Sequence, residues 1–151
     1  MITVTVTVAT TEDADDWAAM RQALWPNGGL DAHRADIEAW LANPRDLTNL
    51  IARSDTGQAL GFAEASLRHD YVNGTKSTPV AFLEGIYVDP AARRSGVARQ
   101  LVEAVERWGR QRGCSEFASD ADIANVTSHQ MHGALGFTET QRVVYFRKLL
   151  G

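Results

Sequence analysis

The chain has 151 residues, a net charge of −4, 44% hydrophobic and 23% charged residues, which excludes a disordered segment and speaks against a nucleic-acid surface. No apolar run approaches the roughly 20 residues that a membrane span needs. The opening MITVTVTVAT lacks the basic and continuously apolar regions of a secretion signal. Cys114 is the single cysteine, so no internal disulfide can form. One domain of residues 1–151 in the cytoplasm is expected, its acidic balance suited to a cationic partner.

Ile2 to Ala9 alternate valine and threonine with the period of a strand. Thr10 or Thr11 can cap the next helix, whose inner face carries Trp17, Met20, Arg21 and Leu24 before Pro26 ends it. A second helix is expected from Asp31 to Leu41, with Leu30, Ile37, Trp40 and Leu41 inward. NLIARSDTGQALGFAEASL reads as a hairpin turning at Ser54 to Gly57, and Val80 to Val88 as a further strand. Val97, Leu101, Val102, Val105 and Trp108 recur at helical spacing, so a long helix starts near Ser95 and stops at Gly113. CSEFASD supplies a short strand, Asn125 to Leu135 a helix closed by Gly136, and Thr140 to Leu149 a last strand. The alternation in the second half implies parallel pairing, so the fold class is α/β with a mixed sheet.

IYVDPAARRSGVARQL, from Ile86 to Leu101, joins a strand to the long helix. A helix start presents unpaired N–H groups and positive potential. Gly96 lets the backbone approach a ligand and Ala98 keeps the approach open, while Arg93, Arg94 and Arg99 add charge. That suits a phosphate or pyrophosphate. The same residues also make a basic helix start with solvated arginines, and the loop alone does not choose between the two. In the strand before it, Gly85 interrupts an otherwise strong apolar run and Glu84 is an acid within it. If the alternation is unbroken, Phe82, Glu84, Ile86 and Val88 share a face, and Gly85 marks a bulge or room for a ligand.

Arg93-x-x-Gly96-x-Ala98 and NVTSHQMHGALGF resemble the coenzyme A pyrophosphate loop and the following helix of the GNAT acetyltransferase superfamily. More narrowly, GFAEASLRHDYVNG, FLEGIYV, VERWG, GCSEFASD and HGALGFTET resemble the aminoglycoside 6'-N-acetyltransferases, over about residues 15 to 148. The resemblance implies a central twisted mixed sheet flanked by helices and splayed at an acetyl-CoA cleft. By the same resemblance Ile86, Tyr87 and Val88 would pair with the pantetheine arm. Arg94, Ser95, Gly96, Val97, Ala98 and Arg99 would hold the pyrophosphate, and Asn125 would contact the pantetheine region while also suiting a helix cap. Trp25, Tyr71, Glu84, Asp120 and Gln141 fall on the substrate side, and a homodimer is usual for such enzymes. Gly28 stands where family members often have histidine and Gln141 where many have glutamate. The tyrosine that many superfamily members use as general acid falls at His132.

A polycationic amino sugar needs carboxylates for its ammonium groups and aromatic faces for its rings. Its amine must lose a proton before it attacks the thioester, and Glu84 and Asp120 are the candidate bases. A strand-end N–H near Tyr87 or Val88 could stabilise the oxyanion. Cys114 lacks a base partner and reads as a small buried thiol. His129 and His132, three apart on one helix, lack further ligands at metal spacing, so no metal is expected. Trp40 and Trp108 read as core. Two other functions share part of this pattern: acetyl transfer to another amine, such as a peptide or polyamine, and a non-catalytic acyl-CoA sensor.

Overall fold

A computed structural model of the chain describes residues 3–151. The Val/Thr alternation forms β1 (Val4–Val8), and the expected start at Ile2 lies outside the described residues. Thr10 and Asp13 then close a capping box around one 3-10 turn, with the Thr10 N–H donating to Asp13 Oδ2 at 2.8 Å. α1 (Ala14–Leu24) follows, and Arg53 ties its start to the neighbouring sheet by donating to Asp13 Oδ1 at 2.7 Å. Burial pushes the Asp13 carboxyl up, but the bonds from Arg53 and Thr10 outweigh it and hold the group below its usual value.

α2 spans Leu30–Ala42. Its inner face differs from the expectation at one end: Leu30 is exposed, whereas Ile37 and His33 are buried. Leu30 begins the helix directly after Gly29, so it stands at the rim, and the polar His33 one turn on takes the inward place. The hairpin pairs β2 (Leu47–Ser54) with β3 (Ala59–Arg68), with Gly57 in the turn at a φ of 88°. β4 (Val80–Val88) and α3 (Val97–Gln111) follow. α3 buries Val97, Leu101, Val102 and Val105, the stripe its spacing predicts, and Gly113 at a φ of 83° ends it. β5 (Phe117–Ser119) and α4 (Val126–Ala134) complete the elements, with the Asn125 side chain accepting from the Ser128 N–H as the α4 cap.

The sheet runs β1-β2-β3-β4-β5, antiparallel throughout except for the parallel β4–β5 pair joined across α3. It separates two main cores, with Val72, Val80 and Phe82 as a smaller third cluster. Leu50, Ala63 and Leu83 face α3 with Val97, Leu101 and Val105. Ile51 and Phe62 face α1 and α2 with Trp17, Met20 and Ile37.

The expected last strand is not formed. Residues 138–151 carry neither helix nor strand, and Val144, Tyr145, Phe146, Leu149 and Leu150 are exposed, Phe146 at 92%. Strand propensity produces a strand only where a neighbour completes the ladder, and no such pairing reaches this segment among the described residues. Thr140 fills the space where a side chain on Gly74 would stand.

Candidate active site

The site begins with an irregularity in β4. Gly85 pairs with Glu64 and Leu83 with Ala65, so Glu84 is an extra residue with no partner of its own. This bulge breaks the expected alternation: Glu84 stays on the side of Phe82, where Ser66 and Arg68 meet it, whereas Ile86 and Val88 fall on the side of Leu83 and the α3 core. Gly85 has its own reason. A Cβ there would collide with Cη2 of Trp25, so the space kept open is filled by the indole of this protein rather than by a ligand.

Trp25 is one wall of an open cleft of about 450 Å³, lined also by Arg21, Trp40, Glu64, Ser66 and Glu84. Beneath it lies a buried network. Arg21 Nη1 donates to both oxygens of Glu64 at 2.5 and 2.6 Å, and the Trp17 indole N–H donates to Glu64 Oε2 at 2.8 Å. The Arg21 guanidinium also lies 4.8 Å from the ring centres of both Trp25 and Trp40, a double cation–π contact that holds both indoles. Burial pushes the Glu64 carboxyl up, opposed by Arg21 and Trp17. His33 accepts from Arg21 Nε through Nδ1 at 3.2 Å and donates from Nε2 to the Trp25 carbonyl at 3.0 Å, which fixes its tautomer. Its ring lies where a Cβ on Gly28 would come within 2.9 Å. The glycine at position 28 therefore leaves room for the imidazole of His33.

Sequence reasoning missed this network. The sequence places Arg21 on the inner face of α1 and Trp40 in the core, against which it does pack, but gives neither residue a part in the site and does not single out Glu64. The signal was available: an arginine on the inner face of α1 and a glutamate inside the apolar run of β3 are two opposite charges that burial obliges to meet.

Glu84 is held on the cleft rim. Arg68 Nη2 donates to its two oxygens at 2.9 and 3.0 Å, and Ser66 Oγ donates to Oε1 at 2.8 Å. Asp120 reaches the same region by register. The β4–β5 pairing ends at Leu83 opposite Ser119, so Glu84 and Asp120 are the first residues past the last rung on each strand. Beyond that rung Ile86, Tyr87 and Val88 pair with β3 on one edge only, leaving alternate backbone groups of β4 facing the opening between the strands.

At the far end of β4 lies the predicted anion site. Arg94 and Gly96 both have positive φ, 64° and 79°, a bend that turns successive N–H groups inward as an anion nest. Gln100 makes the first bond of α3 to the Gly96 carbonyl, so the Val97, Ala98 and Arg99 N–H groups remain available for a ligand. No atom lies within 4 Å of the place where a Cβ on Gly96 would point, so the nest has room for a phosphate. Val97 offers only its backbone, since its side chain is core. Arg99 is partly committed, donating to the Ala134 carbonyl at 2.9 Å and tying α3 to the end of α4. Asn125 caps α4.

Tyr71, 75% exposed on the β3–β4 connection, and Gln141 on the C-terminal segment do not line this cleft. His132 Nε2 lies 2.8 Å from Ser119 Oγ at the end of β5, and its Nδ1 donates to the Ser128 carbonyl at 2.7 Å. His129 Nε2 donates to the Asp122 carbonyl at 3.0 Å. Cys114 is half-buried, and that burial pushes its thiol up, away from a reactive thiolate.

A mixed sheet opened between two parallel strands, with an anion nest leading into the helix between them, defines an acyl-coenzyme A transferase site. The sequence profile of the acetyltransferase (GNAT) family matches residues 14–137, and the chain belongs to that family. It is 53% identical over 140 residues to the aminoglycoside N(6')-acetyltransferase type 1 of Serratia marcescens, covering 93% of this chain and 95% of the relative. The enzyme of the same name from Acinetobacter genomosp. 13 is 54% identical over 136 residues, covering 90% and 92%. Among solved structures, the aminoglycoside antibiotic 6'-N-acetyltransferase AAC(6')-Ih from Acinetobacter baumannii superposes with a TM-score of 0.93 at 47% identity, over 99% of this chain and 100% of that one. AAC(6')-Iy in complex with the bisubstrate analogue CoA-S-monomethyl-acetylneamine gives 0.91 at 47% identity, over 98% and 99%.

Proposed function

We propose that this chain is an aminoglycoside 6'-N-acetyltransferase, a single catalytic domain over residues 1–151 that moves the acetyl group of acetyl-CoA to the 6'-amine of aminoglycosides and so confers resistance. The observation that carries the reading is the opening of the sheet after Leu83 and Ser119, which leaves Glu84 and Asp120 on either side of one gap. The similarity to relatives of that name, at about half identity over nearly the full length, supports the substrate class.

Acetyl-CoA supplies an activated thioester. The nest from Arg94 to Arg99 holds its pyrophosphate, the open edge of β4 at Ile86, Tyr87 and Val88 pairs with the pantetheine arm, and Asn125 closes over that arm. On the other side Trp25 offers an aromatic wall, with Tyr71 and Gln141 reaching the drug from the outer loops. Glu84 takes the proton from the 6'-ammonium, directly or through a water, and Asp120 binds an ammonium of the drug. An N–H of Tyr87 or Val88 meets the developing oxyanion, whose collapse breaks the C–S bond and releases coenzyme A as its thiolate. Juxtaposing the two substrates in one cleft supplies much of the acceleration, and no step needs a metal or a covalent acyl-enzyme.

The enzyme works in the cytoplasm, where acetyl-CoA is made, and as a homodimer. The exposed apolar segment around Tyr145 and Phe146 supports the dimer, because a second copy could cover it. Coenzyme A release with a panel of aminoglycosides, polyamines and peptides tests the function. Turnover only with drugs carrying a 6'-amine is expected. Faster turnover of a polyamine or peptide would reassign the substrate, and no turnover alongside tight coenzyme binding would leave a sensor.

A further inference from the structure

The charge in the cleft is nearly balanced before any substrate arrives. Of the two lining carboxylates, Glu64 is consumed by Arg21 in the buried network. Glu84 is covered by Arg68, whose Nη2 bridges both of its oxygens. Arg68 is seated by a second contact: its Cζ lies 3.6 Å from the ring centre of Phe82, the residue two before Glu84 on β4. The pair is nevertheless accessible, with side chains 42% and 37% exposed, and exposed ion pairs exchange partners at little cost. Arg68 thus presents to Glu84 what an ammonium group of a substrate would present, a hydrogen-bonding cation.

We propose that Arg68 is a specificity-determining residue: a resident cation that occupies Glu84 and must be displaced by the incoming amine. This rests on the aminoglycoside reading above. Displacing Arg68 weakens every amine that uses Glu84 by the same modest factor, so a weakly anchored amine, such as a simple diamine, does not keep useful affinity. A polycation held at the same time at Asp120 and along the indole of Trp25 does. Displacement also uncovers the Glu84 carboxylate only when an amine is there to use it. The pair would then filter against small cellular amines at the cost of some affinity for every drug.

The test compares the wild type with Arg68→Gln, which keeps a hydrogen-bonding side chain and removes the charge. Steady-state KM values are measured for kanamycin and for a small diamine, with drug affinity by calorimetry in the presence of coenzyme A. Arg68→Gln should lower KM by about 3- to 5-fold for the drug, the size that an exposed ion pair is worth, and by a similar factor for the diamine. A merely structural loss would raise KM instead. In a Glu84→Gln background the affinity gained through Arg68→Gln should vanish, because the competed carboxylate is gone. An unchanged or raised KM in Arg68→Gln, with wild-type turnover intact, overturns the proposal alone. A wild type that neither binds nor acetylates any aminoglycoside overturns the reading beneath it, and the proposal with it.

Discussion

Glu84 and Asp120 occupy equivalent positions on two diverging strands, yet their surroundings differ. Ser66 donates to Glu84 and keeps its carboxylate aimed when Arg68 gives way, whereas Asp120 is exposed just past β5. An aimed carboxylate suits proton transfer and an exposed one suits charge pairing with a mobile polycation. Glu84→Gln is therefore expected to lower kcat, by about 10²–10⁴-fold if it is the base. Asp120→Asn should act mainly by raising KM, most for drugs with the most amines. Steady-state kinetics on both variants, beside acetyl-CoA affinity, decide this. Wild-type kcat in Glu84→Gln would remove it from the proton path. Glu84 is legible in the sequence as an acid within an apolar strand, whereas Asp120 is singled out by the family resemblance. The partner of Glu84 is not, since Arg68 stands opposite Val80 and reaches Glu84 only across the β3–β4 pairing, which one chain segment does not reveal. A one-residue bulge leaves no mark beyond Gly85, and that glycine has a second cause in Trp25.

At the scale of elements, the strand–nest–helix unit from β4 to α3 was legible because each part has a local cause. β4 is a run of strand-forming residues, α3 has its apolar stripe, and Gly96 is the residue that accepts the positive φ between them. The same unit makes a prediction. Acetyl-CoA should raise the melting temperature of the wild type, and Gly96→Glu should abolish the rise by straining the nest and placing a negative charge in it. A folded Gly96→Glu protein that kept wild-type coenzyme affinity would refute the nest as the pyrophosphate site. The inner face of α2 was less legible. His33 looks polar and its value lies in two bonds, to Arg21 and to the Trp25 carbonyl, which connect α2 to the end of α1. Such long-range polar pairings carry no periodic signal.

For the whole molecule, the difference that matters is the C-terminal segment. Its residues have strand propensity, but a strand is a property of a pair, and the sequence of one chain does not say which chain supplies the neighbour. If a second copy covers Val144, Tyr145 and Phe146, light scattering should give the mass of two chains, and Tyr145→Asp with Phe146→Asp should give the mass of one. A single-chain mass for the wild type would contradict the homodimer. What defines the enzyme is where the acetyl group goes. Purified protein incubated with acetyl-CoA and kanamycin should give one monoacetylated product, with NMR placing the acetyl group on the 6'-nitrogen, and a 6'-hydroxyl analogue should remain unmodified. Acetylation at any other amine of the drug, or modification of the 6'-hydroxyl analogue, would show that transfer is not directed to the 6'-amine.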